Sequence, residues 1–368
     1  MMAGPIRDCI GGIFEASENR IVISLSTAIG IILAIPVAIA LFIWLVFEYL
    51  RWRYLEYLVR IFQEKPLFIV PFGQPVPQAQ DIRFRTANGL SLCGCYFRTT
   101  ARKRQGIILF GLEYGSNRWS CLPYCENLIA NGFDIFSFEC RNQGDSDVQP
   151  GYDPLQWVTD HEVEDFQAAL AYLKSRSDGD SRGIGFFGIS KGGGAGLLAA
   201  VRDPYVRCFV TDGTFATHTT MVPYMRRWIA IYSDHYLIQE LLPRFMYSWM
   251  GHYGLKRIGR ERSCRFPHLE RAMRKLSPRP LLMIHGGSDT YIKPDMARGI
   301  FDRAGPPKEF WLVEGAKHNQ AIQVAGEEYQ RRVLDFFLQN LAGVKTPTEP
   351  KATRKPSASP SPITARFS

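Results

Sequence analysis

Six short apolar runs, separated by longer segments of helical periodicity, constrain the fold of this chain more than any other feature. Such runs are typical of strands buried on both faces, and the segment 162–174 places apolar residues along one stripe of a helix. An alternating segment around Asn88-Gly89 predicts a hairpin ahead of them. The predicted strands are residues 106–110, 133–138, 183–187, 206–210, 280–285 and 310–313. We therefore predict an α/β fold with a mostly parallel central sheet, helices on both faces, and a site at the carboxyl ends of the strands.

A stretch without charged residues covers residues 21–47, which exceeds the roughly 20 residues that a helix needs to cross a bilayer. We predict a single transmembrane helix over residues 21–50, after an N-terminal segment of residues 1–20. A cleaved signal peptide would have a shorter apolar core followed by small residues. The basic residues near its ends are Arg7 and Arg20 before it and Arg51, Arg53, Arg60 and Lys65 after it. This excess on the C-terminal side predicts that the rest of the chain lies in the cytoplasm.

Composition divides the remainder of the chain into three parts. Residues 51–65 have the pattern of an amphipathic helix, which either lies at the membrane interface or packs on the surface of the main domain. Residues 66–342 form that domain. Over about 216–276 the alternation of strands and helices is interrupted by an insertion that contains eleven Lys and Arg residues but only four Asp and Glu residues. Residues 343–368 are rich in Pro, Ser, Thr and Lys and are predicted to be a disordered basic tail.

Composition also excludes several classes of protein. Of the 368 residues, 46% are hydrophobic, which is enough for a full core, and the net charge of +9 is not arranged as a nucleic-acid-binding module. The eight cysteines are scattered, so we expect buried thiols, and neither Cys93/Cys95 nor Cys121/Cys125 has the usual spacing of zinc ligands. We expect no metal, no organic cofactor and no nucleic-acid partner.

The sequence GISKG, residues 188–192, places Ser190 between a predicted strand and a helix of small residues. A serine at such a sharp turn adopts a strained backbone conformation, and Gly188 and Gly192 avoid collisions with the neighbouring strand and helix. The helix that follows directs its N–H groups and the positive end of its dipole toward the serine oxygen. Ser190 is therefore the candidate nucleophile.

A serine nucleophile needs a base, and the base needs an orienting carboxylate. Asp289 follows a predicted strand in a Gly-rich turn, and His318 follows the last strand. The order serine, aspartate, histidine, with each residue at a strand end, brings all three to one side of the sheet. Asp212, after another strand, is an alternative carboxylate, whereas His285 at the end of a strand is expected to be structural.

From about residue 81 to residue 341 the chain resembles the α/β-hydrolase superfamily. The matching segments are TANGLSLCGCYF, FECRNQGDSD, GISKGG, HGGSDTYIKP and GAKHN. The resemblance implies a catalytic triad with Ser190 as nucleophile, His318 as general base and acid, and Asp289 as orienting carboxylate. It also implies that the insertion at 216–276 is a cap over the nucleophile.

The oxyanion hole is the point at which the sequence departs from many of these relatives. Its first donor would be the N–H of Lys191, and its second would come from Leu112 or Glu113 in the loop after the first parallel strand. A carboxylate at Glu113 would repel the developing oxyanion unless it turned away or were paired, and Arg118 or Arg141 are candidate partners.

These residues predict a membrane-anchored serine hydrolase that cleaves a carboxylic ester or thioester. The aromatic and basic insertion would line an apolar, positively charged entrance, which suits a lipid-like or acylated substrate or docking on anionic lipid. The equal alternative is that its arginines form only a solvated or headgroup-facing surface. The motifs are equally compatible with a serine peptidase of the same fold. A third alternative is a membrane-tethered binding or scaffold protein that has lost activity.

Overall fold

The structure is a computed structural model that describes residues 25–65, 70, 72–232 and 242–342. The chain divides into two units, Met1–Leu55 and Glu56–Ser368. The predicted N-terminal segment, the first residues of the predicted transmembrane helix and the predicted C-terminal tail lie outside the described residues.

Helix α1 spans Leu25–Gln63 and contains Pro36. Within the described part of the chain it is the one helix long and apolar enough to cross a membrane. Its last turns belong to the second unit and pack into that unit: Phe62 is fully buried, and its carbonyl accepts a hydrogen bond of 2.9 Å from Trp157 Nε1. For the last turns, residues 56–63, these contacts favour a helix end packed on the main domain over an interfacial helix.

The described part of the second unit contains an eight-stranded sheet with the order β1-β2-β4-β3-β5-β6-β7-β8. The strands are β1 (Ala79–Arg85), β2 (Ser91–Phe97), β3 (Gly106–Gly111), β4 (Phe133–Phe138), β5 (Ile184–Ile189), β6 (Val206–Asp212), β7 (Leu281–Gly286) and β8 (Lys308–Val313). Strand β2 pairs antiparallel with both β1 and β4, and β3 to β8 are mutually parallel. The predicted mostly parallel sheet is confirmed, and each predicted strand differs from the observed one by at most two residues at an end.

Helices cover both faces of the sheet. They are α2 (Leu122–Ala130), α3 (Asp160–Ser175), α4 (Ser190–Ala200), α8 (Pro294–Phe301) and α9 (Ala321–Asn340). Because side chains alternate along a strand, Phe186 packs in the core on one face of the sheet and Phe187 in the core on the other. Strands buried on both faces explain why the apolar runs are continuous rather than alternating.

The insertion between β6 and β7 consists of helices rather than a further strand in its described part. It contains α5 (Thr217–Tyr232), α6 (Arg244–Glu261), the short helix α7 (Leu269–Ala272) and a 3₁₀ turn over Met273–Lys275. Helix α6 packs on α5, since a Cβ on Gly251 would lie 2.7 Å from Met221 Sδ.

Candidate active site

Ser190 begins α4 directly after β5, as the sequence predicts. Its φ of +49° lies in the left-handed region, a strain that costs on the order of 1–3 kcal/mol for a residue with a side chain. A Cβ on Gly188 would lie 2.5 Å from Gly193 Cα, and one on Gly192 would lie 2.2 Å from the carbonyl oxygen of Leu112. Both glycines are therefore required by close backbone approach, and the turn presents the Ser190 side chain above the carboxyl ends of the strands.

His318 and Asp289 lie in the turns after β8 and β7 and complete a hydrogen-bonded chain with Ser190. Ser190 Oγ is 3.0 Å from His318 Nε2, and His318 Nδ1 is 2.7 Å from Asp289 Oδ2. The other carboxylate oxygen of Asp289 accepts 2.8 Å hydrogen bonds from the backbone N–H groups of Tyr291 and Ile292. The carboxylate is thus fixed by the turn, and it can hold the imidazole with Nε2 free to accept the serine proton.

The alternative carboxylate, Asp212, is the last residue of β6 and is fully buried. Its Oδ2 accepts a hydrogen bond of 2.9 Å from Tyr329 Oη, and burial raises its pKa to about 7 although Tyr329 and His318 act to lower it. The imidazole of His318 makes its 2.7 Å Nδ1 contact with Asp289 Oδ2. The geometry therefore favours Asp289 over Asp212 as the orienting group.

His285 has the predicted structural role and, in addition, a contact with Asp289 that the sequence does not predict. It is buried in β7, its Nε2 lies 2.8 Å from the carbonyl of Ile292, and burial lowers its pKa. A neutral imidazole with a proton on Nε2 donates to that carbonyl. The same nitrogen is 3.5 Å from Asp289 Oδ2, so this structural histidine also packs against the carboxylate that orients His318.

The loop after β3 lies against the start of α4, where the oxyanion donors are expected. The 2.2 Å approach of a Gly192 Cβ to the Leu112 carbonyl shows how closely the two segments meet. The backbone N–H of Lys191 is in the first turn of α4, and Leu112 and Glu113 follow β3 directly. These three residues thus lie in the two segments that border Ser190.

The Glu113 carboxylate has a different partner from those predicted. Asn319 Nδ2 donates a hydrogen bond of 2.5 Å to its Oε2, and burial raises the pKa of Glu113 against the lowering effects of Asn319 and His318. The predicted partners are engaged elsewhere, because Arg118 binds Glu139 at 3.0 Å and Arg141 binds Asp165 at 2.6 Å. The sequence analysis did not identify Asn319 as the partner of Glu113. The only feature of the sequence that could have indicated it is the position of Asn319 directly after His318.

The Lys191 side chain points away from the reacting oxygen into a buried ion pair. Its Nζ is 2.8 Å from Glu162 Oε1 and 2.6 Å from the carbonyl of Leu155. Glu162 also accepts hydrogen bonds from the side chains of Tyr152 and Thr159. The pair anchors the first turn of α4 to α3, and the only sequence signal for it was the capping box formed by Thr159 and Glu162.

A cluster of polar aromatic residues connects α5 to the histidine turn. The Tyr291 ring packs against the His318 ring with centroids 5.2 Å apart, and the Tyr224 ring of α5 lies 6.4 Å from Tyr291. Gln156 donates to Tyr224 Oη at 3.1 Å and accepts a hydrogen bond from Tyr291 Oη. The insertion therefore reaches the neighbourhood of the site, as its predicted role as a cap requires, and Ser190 is only 4% exposed.

Comparisons with known proteins agree with this architecture. The sequence pattern of the prolyl oligopeptidase family matches residues 156–344, about half of the chain, and this segment includes Ser190, Asp289 and His318. The chain is 25% identical over 278 residues to the uncharacterized protein YfhR of Escherichia coli (strain K12), an alignment that covers 73% of this chain and 84% of that protein.

Solved structures show the same fold. The esterase Pf2001 of Pyrococcus furiosus superposes with a TM-score of 0.56 at 22% identity and covers 76% of this chain and 98% of its own. The α/β hydrolase GrgF from Penicillium sp. sh18 superposes with a TM-score of 0.55 at 18% identity and covers 73% of this chain and 100% of its own. The predicted α/β-hydrolase fold is therefore confirmed.

Proposed function

This chain belongs to the prolyl oligopeptidase family, and from that premise we propose that it is a membrane-anchored serine hydrolase that cleaves carboxylic esters or thioesters through Ser190, His318 and Asp289. One observation carries the proposal: the continuous contact from Ser190 Oγ to His318 Nε2 at 3.0 Å and from His318 Nδ1 to Asp289 Oδ2 at 2.7 Å. Nucleophile, base and orienting group in this arrangement are what acyl transfer requires.

The reaction proceeds in two halves. Ser190 Oγ attacks the carbonyl carbon of the substrate as its proton passes to His318 Nε2, and Asp289 stabilises the imidazolium that forms. The proton then passes from Nε2 to the departing alcohol or thiol, which leaves an acyl group on Ser190. In the second half a water molecule gives its proton to Nε2 and attacks the acyl carbon, and the acid is released as Ser190 recovers its proton.

The tetrahedral oxygen in each half is stabilised by the N–H of Lys191 together with that of Leu112 or Glu113. Burial raises the pKa of Glu113, and the hydrogen bond that Asn319 Nδ2 donates pairs its carboxyl group and holds it in a fixed position. An acidic residue in this loop is therefore compatible with catalysis.

Two considerations bear on the substrate. The almost complete burial of Ser190 and the nearby side chains of Tyr291 and Tyr224 favour a narrow acyl group over a folded polypeptide. The solved relative Pf2001 is an esterase, which is consistent with ester cleavage here. A peptidase is the second candidate, and the family match favours it.

Kinetics with paired substrates test this proposal. We expect the full-length protein in detergent to hydrolyse p-nitrophenyl esters much faster than p-nitroanilides of the same acyl group, and Ser190→Ala to abolish both activities. Asp289→Asn should lower kcat by on the order of 10³–10⁴-fold because it disturbs the tautomer and charge of His318. Asp212→Asn is the matched control, and a larger loss from it than from Asp289→Asn would contradict the assignment. Faster cleavage of the anilides would favour the peptidase.

The membrane anchor is the apolar part of α1, with the catalytic unit on the cytoplasmic side. Supporting it are the length and composition of that helix and the basic residues that follow its apolar stretch. We expect the chain to stay with membranes after alkaline carbonate extraction, and a protease added outside intact cells to leave the catalytic unit uncut. Release by carbonate would contradict the anchor, whereas cleavage from outside would contradict only the orientation.

A further inference from the structure

Helix α6 exposes aromatic side chains along one stripe. Phe245, Trp249 and Tyr253 recur every four residues, and they are 43%, 47% and 44% exposed. The Phe245 and Trp249 rings are in edge contact, with centroids 5.4 Å apart. The opposite face of the helix supplies the core contacts, through Met246, Tyr247, Met250, Leu255 and Ile258. The other face of the helix leaves these three rings partly exposed to solvent, and an exposed aromatic surface commonly marks an interaction site.

Basic side chains continue the same stripe toward the end of the helix. Lys256 and Arg260 are exposed and follow Tyr253 at the spacing of one helical turn. The stripe thus changes from aromatic to cationic along its length. Aromatic rings with polar edges, next to long basic side chains, are the combination that residues at a membrane surface display, because rings enter the headgroup region and Lys or Arg binds lipid phosphates.

We infer that this stripe, formed by Phe245, Trp249, Tyr253, Lys256 and Arg260, docks on the surface of an anionic lipid bilayer. The inference rests on the proposed membrane crossing of α1 and adds to it a second, peripheral contact made by the cap. The rings insert among headgroups, and the two cations bind anionic lipid.

The connectivity of the chain supplies the proximity that docking needs. Arg257 forms an ion pair with Glu56, and Gly254 lies against the Phe62 ring, so α6 packs on the segment that follows the apolar stretch. Glu56 is nine residues after Phe47, the end of that stretch, and nine residues span at most about 30 Å. A bilayer crossed by the apolar stretch is therefore within short reach of α6.

Docking would place the cap, and with it the route to Ser190, next to lipid. Helix α6 packs on α5 at Gly251 and Met221. Helix α5 carries Tyr224, whose ring contacts Tyr291, the residue that packs against the His318 ring. A hydrolase arranged in this way would draw an apolar ester directly from the bilayer. This arrangement gives the exposed aromatic stripe on the cap a physical role.

A nitroxide spin label on the full-length chain tests the inference. The label is attached through Tyr253→Cys in a Cys9→Ser, Cys140→Ser background, and the chain is placed in nanodiscs of phosphatidylcholine alone or with phosphatidylglycerol. In the anionic discs, we expect the ratio of oxygen to nickel-chelate accessibility to be several-fold higher for the label at residue 253 than for a matched control label. The control label is attached through Glu327→Cys, on an exposed position of α9. Adding Lys256→Glu and Arg260→Glu should return the ratio to the control value, whereas the charge-matched pair Lys103→Glu and Arg303→Glu should not.

Two results would overturn the inference. A label that the nickel chelate reaches equally in both kinds of disc has no lipid contact. A label shielded from both reagents, with shielding that disappears on dilution, has a second copy of the chain as its partner. Failure of the anchor is recognised separately, because such a chain would not co-elute with the discs. The same labels would then be measured with anionic vesicles added, and oxygen-favoured accessibility at Tyr253→Cys would still support the stripe.

Discussion

The substitution Glu162→Gln tests whether the buried ion pair beneath the nucleophile holds the elbow in place. Glu162 Oε1 is 2.8 Å from Lys191 Nζ, and the side chains of Glu162 and Lys191 are 3% and 4% exposed. The other carboxylate oxygen accepts hydrogen bonds from the N–H and the hydroxyl of Thr159, at 2.8 and 2.7 Å. A glutamine has one carbonyl oxygen in place of these two acceptors, so its amide group would face at least one donor.

The expected cost follows from this geometry. Removal of one partner of a buried ion pair leaves the other charge uncompensated, which costs about 3–5 kcal/mol. For a domain of this size each kcal/mol lowers Tm by roughly 2–4 °C, so the expected fall is on the order of 10 °C. Lys191→Met should cost less in the Glu162→Gln background than alone, because it removes the uncompensated charge.

The stabilisation should depend on pH in a defined direction. Burial acts to raise the pKa of Glu162, but the charge and hydrogen bond of Lys191, with the hydrogen bonds of Tyr152 and Thr159, lower it overall. A carboxyl group with a lowered pKa in the folded state stabilises the fold above its unfolded pKa, and this stabilisation is lost as pH falls through the folded value. The difference in stability between wild type and Glu162→Gln should therefore be full near neutral pH and shrink in acid.

Thermal unfolding of the full-length protein in detergent, followed by circular dichroism, measures these effects. The matched control is Glu309→Gln, which removes an exposed ion pair with Arg332 and should cost no more than about 1 kcal/mol. If Glu162→Gln is no more destabilising than this control, or if its effect does not change with pH, the ion pair does not anchor the elbow.

Two further predictions concern the oxyanion loop. Asn319→Ala removes the hydrogen-bond partner of Glu113 and should lower kcat by roughly tenfold with little change in KM, because the loop loses its fixed position. Adding Glu113→Gln to this variant should recover part of the lost kcat. An unchanged kcat in Asn319→Ala would show that the contact has no part in catalysis. Gly192→Ala places a Cβ 2.2 Å from the carbonyl oxygen of Leu112 and should abolish ester hydrolysis. The control is Gly299→Ala, where a Cβ has open space and hydrolysis should continue. An active Gly192→Ala enzyme would contradict the close approach of the two segments.

Features of the structure that depend on local sequence could be predicted well. Strands buried on both faces have continuous apolar runs, and the elbow GISKG specifies its own backbone shape, so both are visible in short windows. The meeting of Ser190, Asp289 and His318 follows from a general rule, because the carboxyl ends of parallel strands share one edge of the sheet.

Those parts that depend on distant side chains could not be predicted. Glu113 and Asn319 are 206 residues apart, and Lys191 and Glu162 are 29 apart on different elements. Which donor meets a buried carboxylate is decided by the packing of whole elements, and many residues satisfy the same chemistry. For this reason the sequence suggested arginine as the partner of Glu113, and the structure has an amide.

The last turns of helix α1 are a second feature that local sequence could not predict. Its sequence is apolar first and amphipathic afterwards, which predicts two segments, but nothing local ends the helix between them. The burial of Phe62 and its bond with Trp157 come from the domain, 95 residues further along the chain. Whether an amphipathic face meets lipid or protein is a tertiary property.

The most direct test of the central claim is the site of covalent modification by a fluorophosphonate. We expect a single phosphonyl group per chain, found by mass spectrometry on the peptide that contains Ser190 and absent from Ser190→Ala. We also expect His318→Ala, if circular dichroism shows that it is folded, to react far more slowly, because the serine loses its base. A folded wild-type protein that remains unmodified, or that is modified at another residue, would contradict the proposed triad.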